Sequence, residues 1–355
     1  MTRVERQTTF WPIDLSQTQK NKTRISSLAP AAPTEVYDTY WRFAAERQAM
    51  FFRRAFGEPP PWTDDPILGV YKFTNAYRAS DRVSQYLIRH VIYEGSQSAQ
   101  EVFFRIILFK LFNKIETWEL LQQALGSLTY ACYAFDAYDR VLTAAMDRKQ
   151  TIYSAAYIMP SGSRALGSTK KHRSHLKLLQ QMMDDEVPER ITHFKTMREA
   201  FDLLLSYPMI GNFLAYQYVT DLNYSECYNF SEMEFVVPGP GAIDGISKCF
   251  SSLGGISETD IIKLVTARQA DEFKRLGLEF QSLWGRPLQL IDCQNLFCEI
   301  SKYARVRHPD VKGVANRLRI KQKYKTNFSP LPLWYPPKWD INIRIEQTLN
   351  ETKEQ

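Results

Sequence analysis

No stretch of this chain alternates apolar and polar residues for long enough to build a half-buried strand. Strands turn successive side chains to opposite faces, so a sheet protein carries that period-two signal again and again. Here the apolar residues recur every three or four positions instead. They do so in "EVYDTYWRFAAERQAMFFRRAFG" (35–57), "RASDRVSQYLIRHVIYEG" (78–95), "SAQEVFFRIILFKLFNKIETWELLQQALG" (98–126) and "SLTYACYAFDAYDRVLTAAMDRKQ" (127–150). That spacing lays apolar residues along one stripe of a helix. The expected class is all-α, without internal repeats.

The punctuation supports this. Thr34 is placed to open the first helix, with Glu35 early in its first turn. Ser80 or Asp81 can cap the second. A break near Asn113 divides the most apolar run into a buried helix pair, and further helices are expected at His172–Asp184 and Thr196–Leu205. "EPPPWTDDP" reads as a loop. Residues 1–33 are polar, end in Pro30 and Pro33, and read as a loose arm. Residues 34–328 form the helical domain, divisible into lobes of about 34–195 and 196–328, and 329–355 form a tail.

Composition excludes several classes. There is no apolar run of 18 residues and no apolar leader, so no membrane is expected. The five cysteines are scattered without a CxxC pair, which gives neither a zinc site nor a disulfide framework. No metal, cofactor or protein partner is therefore expected, and the expected setting is the reducing cytoplasm. No GxxxxGK[ST] loop occurs. The net charge of +6 is modest but unevenly placed. Nine Lys and Arg lie between Lys302 and Lys325 with Asp310 as the only acid, and "KKHRSHLK" (170–177) is a second cluster. Such clusters either neutralise nucleic-acid phosphates or form a solvated face.

Three segments carry finer signals. In "SYPMIGNFLAYQY" a helix ends, a Pro-x-x-Gly turn follows and a second helix starts at Asn212. Gly211 would let the turn backbone approach a phosphate. "FVVPGPGAIDGISK" (235–248) alternates proline and glycine before a helical run. It can be a turn, or a stiff rim that another molecule approaches closely. In "PLQLIDCQNLFCEISKYARV" (287–306), Asp292 can cap the following helix, either as a cap alone or as a carboxylate facing a cavity.

Taken jointly, "FTNAYRASDRVSQYLI", "FFRIILFKLFNKIETWE", "PMIGNFLAYQYVTDLNYS", "FVVPGPGAIDGISKCF" and "LQLIDCQNLFCEISKYAR" resemble a family of DNA base hypermodification proteins. The family includes the helical domain of 5-hydroxymethyluracil DNA kinases and the α-glutamyl/putrescinyl-thymine pyrophosphorylases. The resemblance implies kinship to helix–hairpin–helix DNA glycosylases and a fold of that helical kind. Its implied partner is double-stranded DNA containing modified bases, with the target base leaving the stack.

On that footing the expected function is a monofunctional DNA glycosylase, a hydrolase acting in antiviral defence. A transferase replacing pyrophosphate on hydroxymethyluracil with an amine, or a non-catalytic DNA-binding module, stand as alternatives. A carboxylate would stabilise the positive charge that develops on the sugar. Asp292 is the first candidate, with Glu234 and Asp244 (and Glu232) as rivals. The 81 residues from Gly211 to Asp292, or 51 from Gly241 if "VPGPG" is the hairpin, exceed the interval the resemblance implies. No lysine follows either hairpin glycine, which favours activated water over a Schiff base. Gln217, Tyr216, Gln294, Gly239, Pro240, Gly241 and Ala242 are expected around the base. Gly211, Asn212, Arg78, Arg82, Lys248, Arg305 and Arg307 are expected on the DNA backbone.

Overall fold

The computed structural model describes residues 28–162, 166–168, 170–326 and 333–354. Residues 1–27 of the expected arm, and 329–332 and 355 of the expected tail, lie outside them. The described chain is mostly helical and the all-α class holds. In chain order the helices are α1 (Glu35–Ala55), α2 (Arg82–Tyr86), α3 (Ala99–Phe112), α4 (Ile115–Leu125), α5 (Phe135–Asp147), α6 (Lys171–Asp184), α7 (Val187–Thr192), α8 (Met197–Leu205), α9 (Asn212–Leu222), α10 (Pro240–Cys249), α11 (Glu258–Ala267), α12 (Gln269–Arg275), α13 (Leu290–Arg307) and α14 (Asn342–Glu354). Two short antiparallel strands, β1 (Ala32–Pro33) and β2 (Phe250–Ser252), pair with each other. They escaped a period-two search because neither is long enough to alternate. Contacts divide the chain into two compact units: Met1–Arg78 with Pro238–Pro332 and Glu346–Gln355, and Ala79–Val237 with Leu333–Ile345.

The first unit is organised on α13. Thr34 caps α1 through a bond from the Val36 amide, as its sequence position predicts. Tyr40 of α1 lies 4.6 Å from the Phe297 ring and donates its hydroxyl proton to the Cys293 carbonyl. The closest packing is between α10 and α13. A Cβ on Gly245 would fall 1.9 Å from the Phe297 carbonyl oxygen, and one on Gly241 would fall 2.3 Å from Cys298 Sγ. Four residues apart, the two glycines share one face of α10 and bring its backbone against α13. The helix begins at Pro240, a position suited to a residue without an amide proton. The second half of "PGPG" is therefore helix rather than loop.

This approach buries a polar knot. Asp244 accepts from the Ser301 hydroxyl, from the Ala315 amide at 2.7 Å, and pairs with Lys248 at 3.4 Å. Lys248 donates to the Ser301 carbonyl at 2.8 Å. Both charged side chains are almost fully buried. Burial alone would raise the Asp244 carboxyl. The bonds from Ser301 and Ala315 and the Lys248 charge outweigh it and hold the group below its ordinary value.

The second unit is organised on α3, whose residues from Glu101 to Phe112 are all buried. A helix apolar all round belongs in a core. Its three charged side chains are each answered, as burial requires. Glu101 accepts the amides of Tyr130 and Ala131. Arg105 donates to the carbonyls of Val91, Ile92 and Ser96, covering the end of the π-turn Leu87–Ile92 that follows α2. Lys110 pairs with Asp221 at 3.1 Å. Asn113 takes a left-handed conformation (φ 48°) and makes the expected break before α4. On α6, His175 is fully buried. Its Nε2 donates to the Pro160 carbonyl and its Nδ1 accepts from the Tyr153 hydroxyl, both at 2.8 Å. Acceptance at Nδ1 requires that nitrogen unprotonated, and burial pushes the ring's pKa down to about 4.

Four outcomes are expected. Gly245→Ala destabilises by about 1–3 kcal/mol or more in urea unfolding, because its new methyl meets backbone. The loss from Gly241→Ala, which meets a side chain, is recovered in part by adding Cys298→Ala. Asp244→Ala leaves Lys248 buried without its counter-charge and costs about 3–5 kcal/mol, part of which Lys248→Met restores. For His175, the unfolded ring takes up its proton near pH 6.5, about its ordinary pKa. Its folded pKa is lower, so its contribution is complete above that pH and is lost as pH falls toward 4. Stability of His175→Gln, measured by urea unfolding at a series of pH values, varies less across that window than stability of the parent.

Candidate nucleic-acid interface

The expected catalytic and base-contacting residues fall into two groups. Asp292 is the third residue of α13 rather than its cap, which is Gln289. Its carboxylate accepts the Gln289 amide at 3.0 Å and the Arg78 amide at 2.8 Å. It closes the first turn of the helix and pins the backbone at Arg78. Gln294, two residues on, accepts the Gly239 amide at 3.3 Å and ties the start of α10 to α13. Gly241 and Ala242, expected at a pocket rim, lie instead in the helix contact; Ala242 is fully buried, while Pro240 is exposed. Gln294 and Gly239 are thus brought into contact, while Asp292 and Asp244 are held at separate points along α13, near Gln289 and Ser301.

Two of the expected phosphate contacts need correcting. Arg78 is 2% exposed and Lys248 3%, so neither guanidinium nor ammonium reaches a phosphate at the surface. In both cases a long-range partner claims the segment: Asp292 holds the Arg78 backbone, and Ser301 holds Lys248 together with Asp244 one turn back on α10. Arg305 is half-buried, donating to the Arg319 carbonyl at 3.1 Å, and burial draws its pKa down. Arg307 is exposed.

The remaining expected residues belong to the second unit. Tyr216 and Gln217 are buried in α9, with Tyr216 edge-on to Phe235 at 5.9 Å. Glu234 is exposed and Glu232 half-buried. Arg82 is largely exposed and 3.7 Å from Glu116. The predicted hairpin is present. α8, opened by a Thr196–Glu199 capping box, ends at Leu205, and α9 starts at Asn212. Met209, not glycine, takes the left-handed position of the turn (φ 68°). Gly211 and Asn212 are exposed, with open space around Gly211.

A run of exposed cations lies in the first unit. After α13 the chain runs without helix or named strand to residue 326. Along it Arg307, Lys312, Arg317, Arg319, Lys321, Lys323 and Lys325 are all exposed, with Asp310 the only acid. This strap is anchored along its length. Asp244 holds the Ala315 amide, Ser247 the Val314 amide at 3.3 Å, and Arg305 the Arg319 carbonyl. Its far end pairs with the loop after α1: the Tyr324 amide donates to the Val70 carbonyl at 2.9 Å, and Lys72 to Gln322 at 3.1 Å. Tyr324 thereby lines one side of an open cleft. Arg47, Met50, Phe51 and Arg54 line it from α1, and Trp62, Leu68, Tyr71, Phe73 and Asn75 from the following loop. The sequence does carry a signal for its α1 wall, since those four residues share one helical stripe. Their role stays hidden until Tyr324 is brought across.

No helix among the described residues is long and apolar enough to cross a membrane. Residues 34–313 match the family described as "5-hmdU DNA kinase, helical domain". A 5-hmdU DNA kinase of Bacillus phage SP10 is 29% identical over 295 residues, which cover 77% of this chain and 46% of the relative. The chain thus spans about half the length of that curated relative. No solved structure matches it. The expectation of a glycosylase, and of a hydrolase at all, is corrected by these matches, since family and relative are named for a kinase, which is a transferase. On the match across most of its length, the chain belongs to the family of the helical domain of 5-hmdU DNA kinases.

Proposed function

We propose that this chain is a DNA-base-modifying transferase, binding DNA that contains 5-hydroxymethyl-deoxyuridine and transferring a group onto the hydroxymethyl of that base. The observation that carries the DNA part is the anchored strap. Seven exposed cations from Arg307 to Lys325 follow one another on a segment held to the core at both ends and in its middle. Phosphate binding needs cations in register with a backbone, and an anchored segment has already lost the entropy that a loose tail would lose on binding. The chemistry rests on the name of the phage relative and on its family. In phosphoryl transfer the hydroxymethyl oxygen bonds to the terminal phosphorus of a nucleoside triphosphate as the bond from that phosphorus to the departing nucleoside diphosphate breaks, the hydroxyl proton passes to solvent, and the N-glycosidic bond is untouched. Such a reaction asks the protein mainly for positioning and charge stabilisation. It does not ask for a carboxylate beside the sugar. That agrees with Asp292 and Asp244 being engaged in the packing of α10 and α13.

Two measurements test this. Binding to a duplex weakens with salt, and the triple change Lys321→Gln, Lys323→Gln, Lys325→Gln reduces the slope of log K against log salt by about 3. Incubation of 5-hydroxymethyl-deoxyuridine DNA with protein and ATP, followed by nucleoside mass spectrometry, yields a nucleoside carrying a new group on the hydroxymethyl. Abasic sites, or unmodified DNA, would refute the transferase.

A further inference from the structure

We infer that the cleft beneath Tyr324 receives a single base drawn from a DNA strand whose phosphates lie along the strap. This deepens the DNA reading and rests on it. The last part of the strap is extended, so successive side chains point to opposite sides. Lys321, Lys323 and Lys325 are exposed on one side, and Tyr324 is half-buried on the other, against the cleft. One segment therefore presents cations outward to a backbone and an aromatic ring inward.

The opposite walls suit a base. Trp62 is held at both polar ends, its indole N–H on the Glu58 carbonyl and its own carbonyl on Arg53, each at 2.6 Å. The loop behind it is fixed by Asp65, which accepts the Ile67 and Leu68 amides and the Tyr303 hydroxyl. Tyr71 adds a third ring to those of Trp62 and Tyr324. Arg54 lies 5.6 Å over the Trp62 ring, and Arg47 is oriented by the Thr74 carbonyl at 3.0 Å. Every base offers a π-face to rings and guanidinium planes, and the amide of Asn75 can meet a base edge. The lining contains no acid, so the cleft favours an electron-rich or anionic ligand over a cation.

The test compares a fully paired duplex with one of equal length carrying a single unpaired 5-hydroxymethyl-deoxyuridine. The parent protein prefers the second by roughly ten- to a hundredfold, the scale of one base stacking on protein rings. Tyr324→Ala abolishes the preference and leaves affinity for the paired duplex in place, and Tyr324→Phe retains it. An unchanged preference in Tyr324→Ala overturns the cleft assignment. So does a cleft that takes free ATP, with ATP binding lost in Tyr324→Ala while the unpaired-base preference stays. If the triple strap variant binds the paired duplex as tightly as the parent, the DNA reading itself fails. That result is distinct from failure of the cleft alone.

Discussion

Two glycines four residues apart, Gly241 and Gly245, let α10 lie against α13 with almost no space between backbones. Much of the first unit follows from that distance. It carries Asp244 to Ser301 and Lys248 to the Ser301 carbonyl. The remaining Asp244 oxygen then reaches out to the Ala315 amide and fixes the start of the strap. A side chain at either glycine would push the helices apart and loosen this knot. A buried ion pair contributes little net stability after desolvation. Its effect here is to specify register: which residue of α10 faces which of α13, and where the chain leaves that crossing.

The strap is the consequence of interest. A basic run in a sequence can be a loose tail, a solvated face or a binding surface. Held at Ala315, Arg319 and Tyr324, this one is a surface of defined shape. Its final residues also complete the cleft over α1. The carboxylates that a hydrolytic mechanism would call upon serve that architecture instead. Asp292 closes a helix turn and holds Arg78, and Asp244 holds Lys248, Ser301 and the strap. Membership of a family whose relative is named a kinase agrees with this use of its acids. The sequence resemblance implied a glycosylase-like fold and with it excision, but a fold does not determine the reaction performed on it.

Much of the architecture was legible beforehand. Thr34 opens α1, Asn113 breaks the apolar run and Asn212 starts α9, because capping and turn chemistry act within a few residues. The basic run from Lys302 was equally plain. The site residues were less so. Arg78 and Lys248 look like surface cations from their neighbours in sequence, yet both are buried. In "PGPGAIDG" the glycines look like loop-formers, since glycine more often marks a turn than a helix contact. Nothing local distinguishes the two uses. The difference lies in Phe297 and Cys298, more than 50 residues away.

The sequence by itself determined the helical class, the main helix boundaries, the hairpin before Asn212 and the cationic character of residues 302–325. These depend on periodicity, capping and charge, which are short-range properties. Only the tertiary structure decided that Asp292 and Asp244 bind backbone and neighbours, that Lys248 is buried while Lys321, Lys323 and Lys325 are exposed, and that Tyr324 and Trp62 line the same cleft. Burial and charge pairing depend on which distant segments meet, and here that meeting was set by two missing side chains on α10.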